Sequence, residues 1–199
     1  MRRYDCLKAI ASDTADALVV CTGWAAREWW ALRPGEGNFK TRTLGLVSSV
    51  ATGLALALPT RKVIAIDGDG AFLMNLCGLP TIASQGPPNL IHLLFDNGCY
   101  EASGRIATAS RNVDAVAVAL ASGYRHACWV DSPSSFRDEF LKSWRRNELS
   151  LIAAKVEPGQ PEGLPPLELD ELENKYRLMR YLERTEGRGG PGRGFDSRS

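Results

Sequence analysis

Net charge, histidine and paired cysteine are all scarce in this sequence, and each shortage excludes a class of function. Its 199 residues include 24 Lys and Arg against 23 Asp and Glu, so the formal net charge is +1. No basic block stands out in the body of the chain, which argues against a nucleic-acid partner. Of the two histidines, His92 lies inside an apolar run and His126 lies beside another. We therefore expect neither a His-rich metal site nor Ser-His-Asp catalysis.

The five cysteines form no recognisable pattern. Their number is odd and no C-x-x-C pair occurs, so the sequence indicates neither a disulfide framework nor a zinc or iron–sulfur site. Unpaired thiols fit a reducing compartment, and the N-terminus becomes polar and acidic before any apolar stretch of signal-peptide length. We therefore expect a cytoplasmic protein.

One uncharged stretch, residues 43–60, reaches the length at which a transmembrane helix is considered. It contains glycine, serine and proline, and its strongly apolar part spans only residues 54–58. We therefore expect a helix buried between protein surfaces and no membrane contact.

The composition, 44% apolar and 24% charged, is typical of a soluble globular domain. Short apolar, β-branched runs alternate with helical patterns, which predicts an α/β fold: a doubly wound, mostly parallel sheet with helices on both faces. We expect this domain over residues 1–157. A Pro/Gly-rich linker with a charged helical extension should occupy 158–183, and a Gly/Arg-rich tail without order should occupy 184–199.

Three local predictions follow from the same patterns. Residues 71–84 are predicted to form one helix despite Gly78 and Pro80. Residues 96–110 show no period and are predicted to form a loop. The tail resembles RNA-binding Arg/Gly segments in composition, but a solvated tail without function is the commoner outcome.

Two loops that follow neighbouring predicted strands carry the chemistry. Gly68-Asp69-Gly70 comes after one strand, and Asn97 comes after the next. Because parallel strands end at the same edge of an open α/β sheet, Asp69 and Asn97 should lie side by side. Carboxylate and amide oxygens suit Mg²⁺, while the glycines and a following helix N-terminus suit an anion. The sequence therefore predicts a site for a magnesium diphosphate.

The Gly-Asp-Gly turn alone is weak evidence, but Asn97 follows it after 26 intervening residues. With that spacing the chain resembles the diphosphate-binding domain of thiamine-diphosphate enzymes. Stretches such as Thr22-Gly23, residues 44–49 and Glu173-Asn174-Lys175-Tyr176-Arg177 are similar to those of phosphonopyruvate and sulfopyruvate decarboxylases. The resemblance covers roughly residues 4–183.

The resemblance implies a set of site residues. Asp69, Asn97 and the main-chain oxygen of Cys99 fall on the family's magnesium-ligand positions, and Leu44 falls on that of the apolar residue that supports the bent cofactor. The residues implied to contact the cofactor are Thr22, Gly23, Leu44, Gly68, Asp69, Gly70, Ala71, Asn97, Cys99 and Tyr100. Arg42 departs from the pattern, because glycine is expected there.

The resemblance also implies a reaction and a partner. In this family a glutamate on a separate pyrimidine-binding domain activates the cofactor, so an α-type subunit is expected to supply it in a hetero-oligomer. The implied reaction is decarboxylation of a small anionic 2-oxoacid, 3-phosphonopyruvate or 3-sulfopyruvate, to the aldehyde and CO₂. No catalytic residue is certain. Glu101 and Arg105 are candidates, and Arg42 is a second candidate for binding the substrate's distal anion.

Two alternatives stay open. The domain could be the cofactor half of a carboligase similar to acetolactate synthase, or of a related oxidoreductase, since fold does not fix the reaction. It could also be a non-catalytic scaffold subunit. The intact pair Asp69 and Asn97 argues against the scaffold.

Overall fold

The computed structural model describes residues 1–187. The strands are β1 (Leu18–Thr22), β2 (Asn38–Thr41), β3 (Val63–Gly68), β4 (Leu90–Asp96), β5 (Cys99–Tyr100), β6 (Ile106–Ala107), β7 (His126–Val130) and β8 (Ser150–Lys155). The helices are α1 (Arg3–Ile10), α2 (Gly23–Leu32), α3 (Val47–Ala57), α4 (Asp69–Met74), α5 (Gly78–Gln85), α6 (Ala115–Ala121), α7 (Pro133–Arg146) and α8 (Glu171–Glu186).

Six strands form one parallel sheet in the order β2-β1-β3-β4-β8-β7. The central strands are buried on both faces, which explains why they are continuous apolar runs in the sequence. The predicted doubly wound α/β fold is therefore confirmed. β1, β3 and β4 are neighbours, so their carboxyl ends lie together at one edge of the sheet.

The core consists of two apolar clusters, one on each face of the sheet. Alternate strand residues face opposite sides: Val20 and Ala65 belong to one cluster, Val19 and Ile64 to the other. Helices α3, α5, α6 and α8 contribute to the first cluster, and α1, α2 and α7 to the second. The sheet thus has helices on both faces, and the carboxyl ends of its strands remain accessible.

The predicted single helix over residues 71–84 is wrong. The chain forms α4, ends it at Asn75, and starts α5 at Gly78. Pro80 lies in the first turn of α5, where its missing N–H loses no helical hydrogen bond, so the proline marks a helix start.

Residues 96–110 hold more structure than the absence of a period predicted. β5 and β6 pair as a short antiparallel hairpin, with one 3₁₀ turn between its strands and another after it. The last helix, α8, continues to Glu186, three residues into the segment predicted to be a tail without order. The rest of that predicted tail, from residue 188 onward, lies outside the described residues.

No helix within residues 1–187 is long and apolar enough to cross a membrane. The stretch 43–60 instead contains α3, which packs on the sheet through Val47, Ala51 and Ala55.

Candidate functional site

A cleft opens at the carboxyl ends of β1, β3 and β4. Every residue that the sequence analysis assigned to the cofactor lines this cleft: Thr22, Gly23, Leu44, Gly68, Asp69, Gly70, Ala71, Asn97, Cys99 and Tyr100. The loops after three strands and the segment before α3 bring them together. Residues that are spread over positions 22–100 of the sequence thus line one cleft in the structure.

Asp69 is a buried carboxylate without a cation. It is 3% exposed, and it has no ion-pair partner in the described part of the chain. Its Oδ2 accepts a hydrogen bond from the Thr108 hydroxyl, and its Oδ1 lies 3.4 Å from the backbone N–H of Asn97. Burial raises the pKa of Asp69, and the nearby charge of Asp96 raises it further, against the hydrogen bond from Thr108. A cation bound here would relieve that electrostatic cost.

The loop that carries Asn97 is fixed by its own hydrogen bonds. The Asn97 Oδ1 accepts from the backbone N–H of Cys99 at 3.0 Å. Asp96, just before it, accepts from the Ser110 hydroxyl at 2.8 Å and pairs with Lys155. Because Asp96 is paired with Lys155 and Asp69 has no such cation in the described part of the chain, Asp69 is available to a metal ion.

Gly70 allows the closest contact in the site. A Cβ placed on Gly70 would lie 2.3 Å from Cε1 of Tyr100, so only glycine lets the tyrosine ring rest against the backbone of α4. Gly23 begins α2 with φ +57°, a conformation that favours glycine. The first residues of α2 and α4, including Ala25 and Ala71, line the cleft. Unpaired N–H groups at two helix starts therefore border it, which suits a diphosphate.

One side of the cleft holds a charged triad that the sequence analysis missed in part. The Arg3 guanidinium donates to both carboxylate oxygens of Glu28, at 2.8 and 2.9 Å, and to Glu101 at 2.8 Å. All three side chains are at most 7% exposed. Burial lowers the pKa of Arg3, but the hydrogen bonds and charges of the two glutamates outweigh it and raise the pKa overall. Burial raises the pKa of Glu28, which Arg3 opposes.

The segment after β8 lies against the same side. The backbone N–H of Gly159 donates to Glu101, and the Gln160 amide donates to the carbonyl of Trp24 at 2.9 Å. Arg27, on α2, donates to the carbonyls of Leu164 and Pro165. The Pro/Gly-rich segment thus holds Glu101 and the start of α2.

The two arginines considered for the substrate's distal anion do not line the cleft. The Arg42 side chain is 75% exposed and pairs with Glu171 at 2.7 Å. Arg105 is exposed, with φ +59° at the tip of the β5–β6 hairpin. Arg3 does line the cleft, but no sequence signal connects it with Glu101, 98 residues away.

Comparison with known proteins gives consistent matches. Residues 19–154 match the family model for the thiamine pyrophosphate enzyme, C-terminal TPP binding domain. The chain is 34% identical over 191 residues to the sulfopyruvate decarboxylase subunit beta of Methanococcus maripaludis, covering 92% of this chain and 99% of that subunit. It is 35% identical over 168 residues to the phosphonopyruvate decarboxylase of Streptomyces viridochromogenes, covering 82% of this chain and 42% of that one.

Among solved structures, a thiamine diphosphate-dependent 4-hydroxybenzoylformate decarboxylase of Rhodococcus jostii superposes with a TM-score of 0.69 at 19% identity. The match covers 81% of this chain and 33% of that one. At this identity the likeness concerns the fold.

Proposed function

This chain belongs to the thiamine pyrophosphate enzymes, as their C-terminal cofactor-binding domain, and from that membership we propose that it is the cofactor-binding subunit of a split decarboxylase. The substrate is a small anionic 2-oxoacid, 3-sulfopyruvate or 3-phosphonopyruvate, and the products are the aldehyde and CO₂. The single observation that carries the proposal is the cleft in which buried Asp69, without a cation, meets the loop of Asn97.

The residues present fit thiamine diphosphate with Mg²⁺. Asp69, Asn97 and the carbonyl of Cys99 offer the oxygen ligands that Mg²⁺ prefers. The N-terminal amides of α2 and α4 border the cleft and suit the diphosphate oxygens. Leu44, exposed at the cleft mouth, offers an apolar contact for the ring system. When bound, the cofactor supplies the electron sink that loss of CO₂ requires.

The triad governs charge beside the reacting centre. Glu101 lines the cleft, and its carboxylate is held by Arg3 and Gly159, so its orientation is fixed before substrate enters. Two carboxylates share one guanidinium here, which leaves an excess negative charge. We assign Glu101 the role of a fixed carboxylate next to the substrate and Arg3 that of its positioning residue. Arg105, exposed at the tip of the β5–β6 hairpin, stays the candidate for binding a distal sulfonate or phosphonate.

A partner subunit completes the enzyme in this proposal. The match to the sulfopyruvate decarboxylase subunit beta covers 99% of that subunit, which is named as one subunit of an enzyme. The match to the phosphonopyruvate decarboxylase covers only 42% of that longer chain. Leu44, Leu46, Leu56 and Met74 are exposed apolar side chains on the described surface near the cleft and along α3. Exposed apolar side chains of this kind suit an α-type, pyrimidine-binding partner in a hetero-oligomer.

The carboligase and scaffold alternatives are not favoured. The relatives that match most of this chain are named decarboxylases. The unpaired charge of Asp69 would be a pure cost in a scaffold. We also propose a cytoplasmic location, supported by five free cysteines, of which Cys6 and Cys21 are buried thiols.

Cofactor binding by the purified chain tests the proposal. Isothermal titration of thiamine diphosphate should show binding that requires Mg²⁺, and Asp69→Ala should abolish it because the metal loses its buried carboxylate. Asp138→Ala, an exposed aspartate on α7, is the matched control and should bind normally. Thiamine diphosphate binding that does not depend on Mg²⁺, or that persists in Asp69→Ala, would refute the assigned site.

The reaction is tested after addition of the candidate α-type subunit. We expect CO₂ release and an aldehyde from 3-sulfopyruvate or 3-phosphonopyruvate. An acyloin product would instead support the carboligase, and cofactor binding without any turnover would support the scaffold.

A further inference from the structure

A second cluster of metal-ligating side chains lies at the amino end of the edge strand β7. His126 is the first residue of β7, the edge strand, and Cys128 is two residues further on the same strand face. Glu139 reaches them from α7. The cofactor cleft opens at the carboxyl ends of the strands, whereas His126 stands at an amino end, two strands away from β4. This cluster is therefore separate from the cleft.

The three side chains already point at one another. One ligand atom from each, the His126 ring nitrogen, the Cys128 Sγ and a Glu139 oxygen, lie within 4.8 Å of one another. The His126 Nε2 is 2.9 Å from the Glu139 Oε1. That approach lacks the angle of a hydrogen bond, so within residues 1–187 the Nε2 is buried without a hydrogen-bond partner. A ring nitrogen and a carboxylate oxygen that lie this close can both coordinate one metal ion.

The surrounding charges hold the carboxylate without closing the site. Lys142 contacts the Glu139 Oε2 at 3.3 Å, and Arg146 contacts its Oε1 at 3.4 Å. Both cations are part-exposed, and Arg146 also pairs with Glu148 at 3.1 Å. Exposed pairs at such distances contribute little, so they can give way to a metal ion.

We propose that His126, Cys128 and Glu139 bind one Zn²⁺ ion, with water as the fourth ligand. A nitrogen, a sulfur and a carboxylate oxygen form a borderline-soft donor set, which favours Zn²⁺ over Mg²⁺ or Ca²⁺. On binding, the S–H bond of Cys128 breaks, the Zn–S bond forms, and the proton passes to solvent. The ion would fasten the edge strand β7 to α7.

Cobalt titration of the full chain tests the proposal, because Co²⁺ replaces Zn²⁺ and its bond to a thiolate absorbs light. We expect a sulfur-to-cobalt charge-transfer band that saturates at one equivalent and is displaced by Zn²⁺. The band should disappear in Cys128→Ser and in His126→Ala. It should persist in Cys77→Ser, the matched control, since Cys77 is an exposed thiol near α5. Absence of the band, or its persistence in Cys128→Ser, would overturn the proposal.

A second measurement covers variants that fold poorly. In the unmodified chain, Zn²⁺ should raise the melting temperature because it binds the folded state, and Mg²⁺ at the same concentration should not reproduce the effect. The rise should be unchanged in Asp69→Ala, which separates this site from the cofactor cleft. A Zn²⁺ effect that is lost in Asp69→Ala, or no effect of Zn²⁺ at all, would also overturn the proposal.

Discussion

Removal of Arg3 should destabilise the chain far more than removal of its neighbour Arg2. Arg3→Met deletes three hydrogen bonds of 2.8–2.9 Å and leaves the carboxylates of Glu28 and Glu101 buried beside each other. Breaking a buried ion pair by deleting one partner costs about 3–5 kcal/mol of unfolding free energy. Arg2→Met removes an exposed pair with Asp5, for which a cost within about 1 kcal/mol is expected.

The cost of Arg3→Met should depend on pH in a defined direction. Burial raises the pKa of Glu28, and the hydrogen bonds and charge of Arg3 oppose that rise. Without Arg3, the pKa of Glu28 rises further, so the folded variant holds the proton more tightly than the unfolded chain does. The stability that protonated Glu28 gives the folded variant is fully present below the pKa that Glu28 has in the unfolded chain. It is lost as the pH rises through the pKa that Glu28 has in the folded variant. The deficit should therefore grow with pH, by up to about 1.4 kcal/mol per pH unit for one proton.

Urea unfolding followed by tryptophan fluorescence measures both effects. Unfolding free energies of the unmodified chain, Arg3→Met and Arg2→Met are compared at pH 5 and pH 8. If Arg3→Met were as stable as Arg2→Met at pH 8, or if its deficit did not shrink at pH 5, the triad would not be the buried network described above.

Two further substitutions test the site and its surroundings. Gly70→Ala forces the Tyr100 ring away from α4, so we expect the unfolding free energy to fall by about 1–3 kcal/mol in thermal unfolding and cofactor binding to weaken. Gly53→Ala in α3 is the matched control, because a Cβ there meets nothing within 4 Å, and it should raise the unfolding free energy by about 0.5–1 kcal/mol. Equal effects of the two substitutions would refute the close contact at Gly70. Arg42→Ala should cost less than about 1 kcal/mol and leave the dissociation constant of thiamine diphosphate unchanged, because its side chain points to Glu171; a large loss of cofactor affinity would contradict this.

The parts of the fold that follow from local pattern could be predicted. β1, β3 and β4 are apolar runs that are buried on both faces, and α7 has a serine cap and a proline at its first position. The adjacency of Asp69 and Asn97 also followed, because a parallel sheet brings consecutive strand ends to one edge.

The parts that depend on distant contacts could not be predicted. The pairing of Arg3 with Glu28 and Glu101 joins side chains that are 25 and 98 residues apart, and no periodicity reports such a contact. The cluster of His126 and Cys128 with Glu139 has no metal-binding spacing and arises only when α7 packs beside β7. A hairpin as short as β5–β6 is likewise below the length at which alternation can be detected.

The hydrogen bonds from the segment after β8 change where this domain can be divided. Composition places a boundary near residue 157, yet Gly159 holds Glu101, and Arg27 holds the carbonyls of Leu164 and Pro165. A chain shortened at residue 157 would keep every strand of the sheet and lose a support of its cleft. Anyone who transplants this domain, or fuses another protein to it, should keep the proline-rich segment, because it holds residues that line the cleft. The shortest chain that keeps the cleft supported is thus longer than the shortest chain that contains all strands of the sheet.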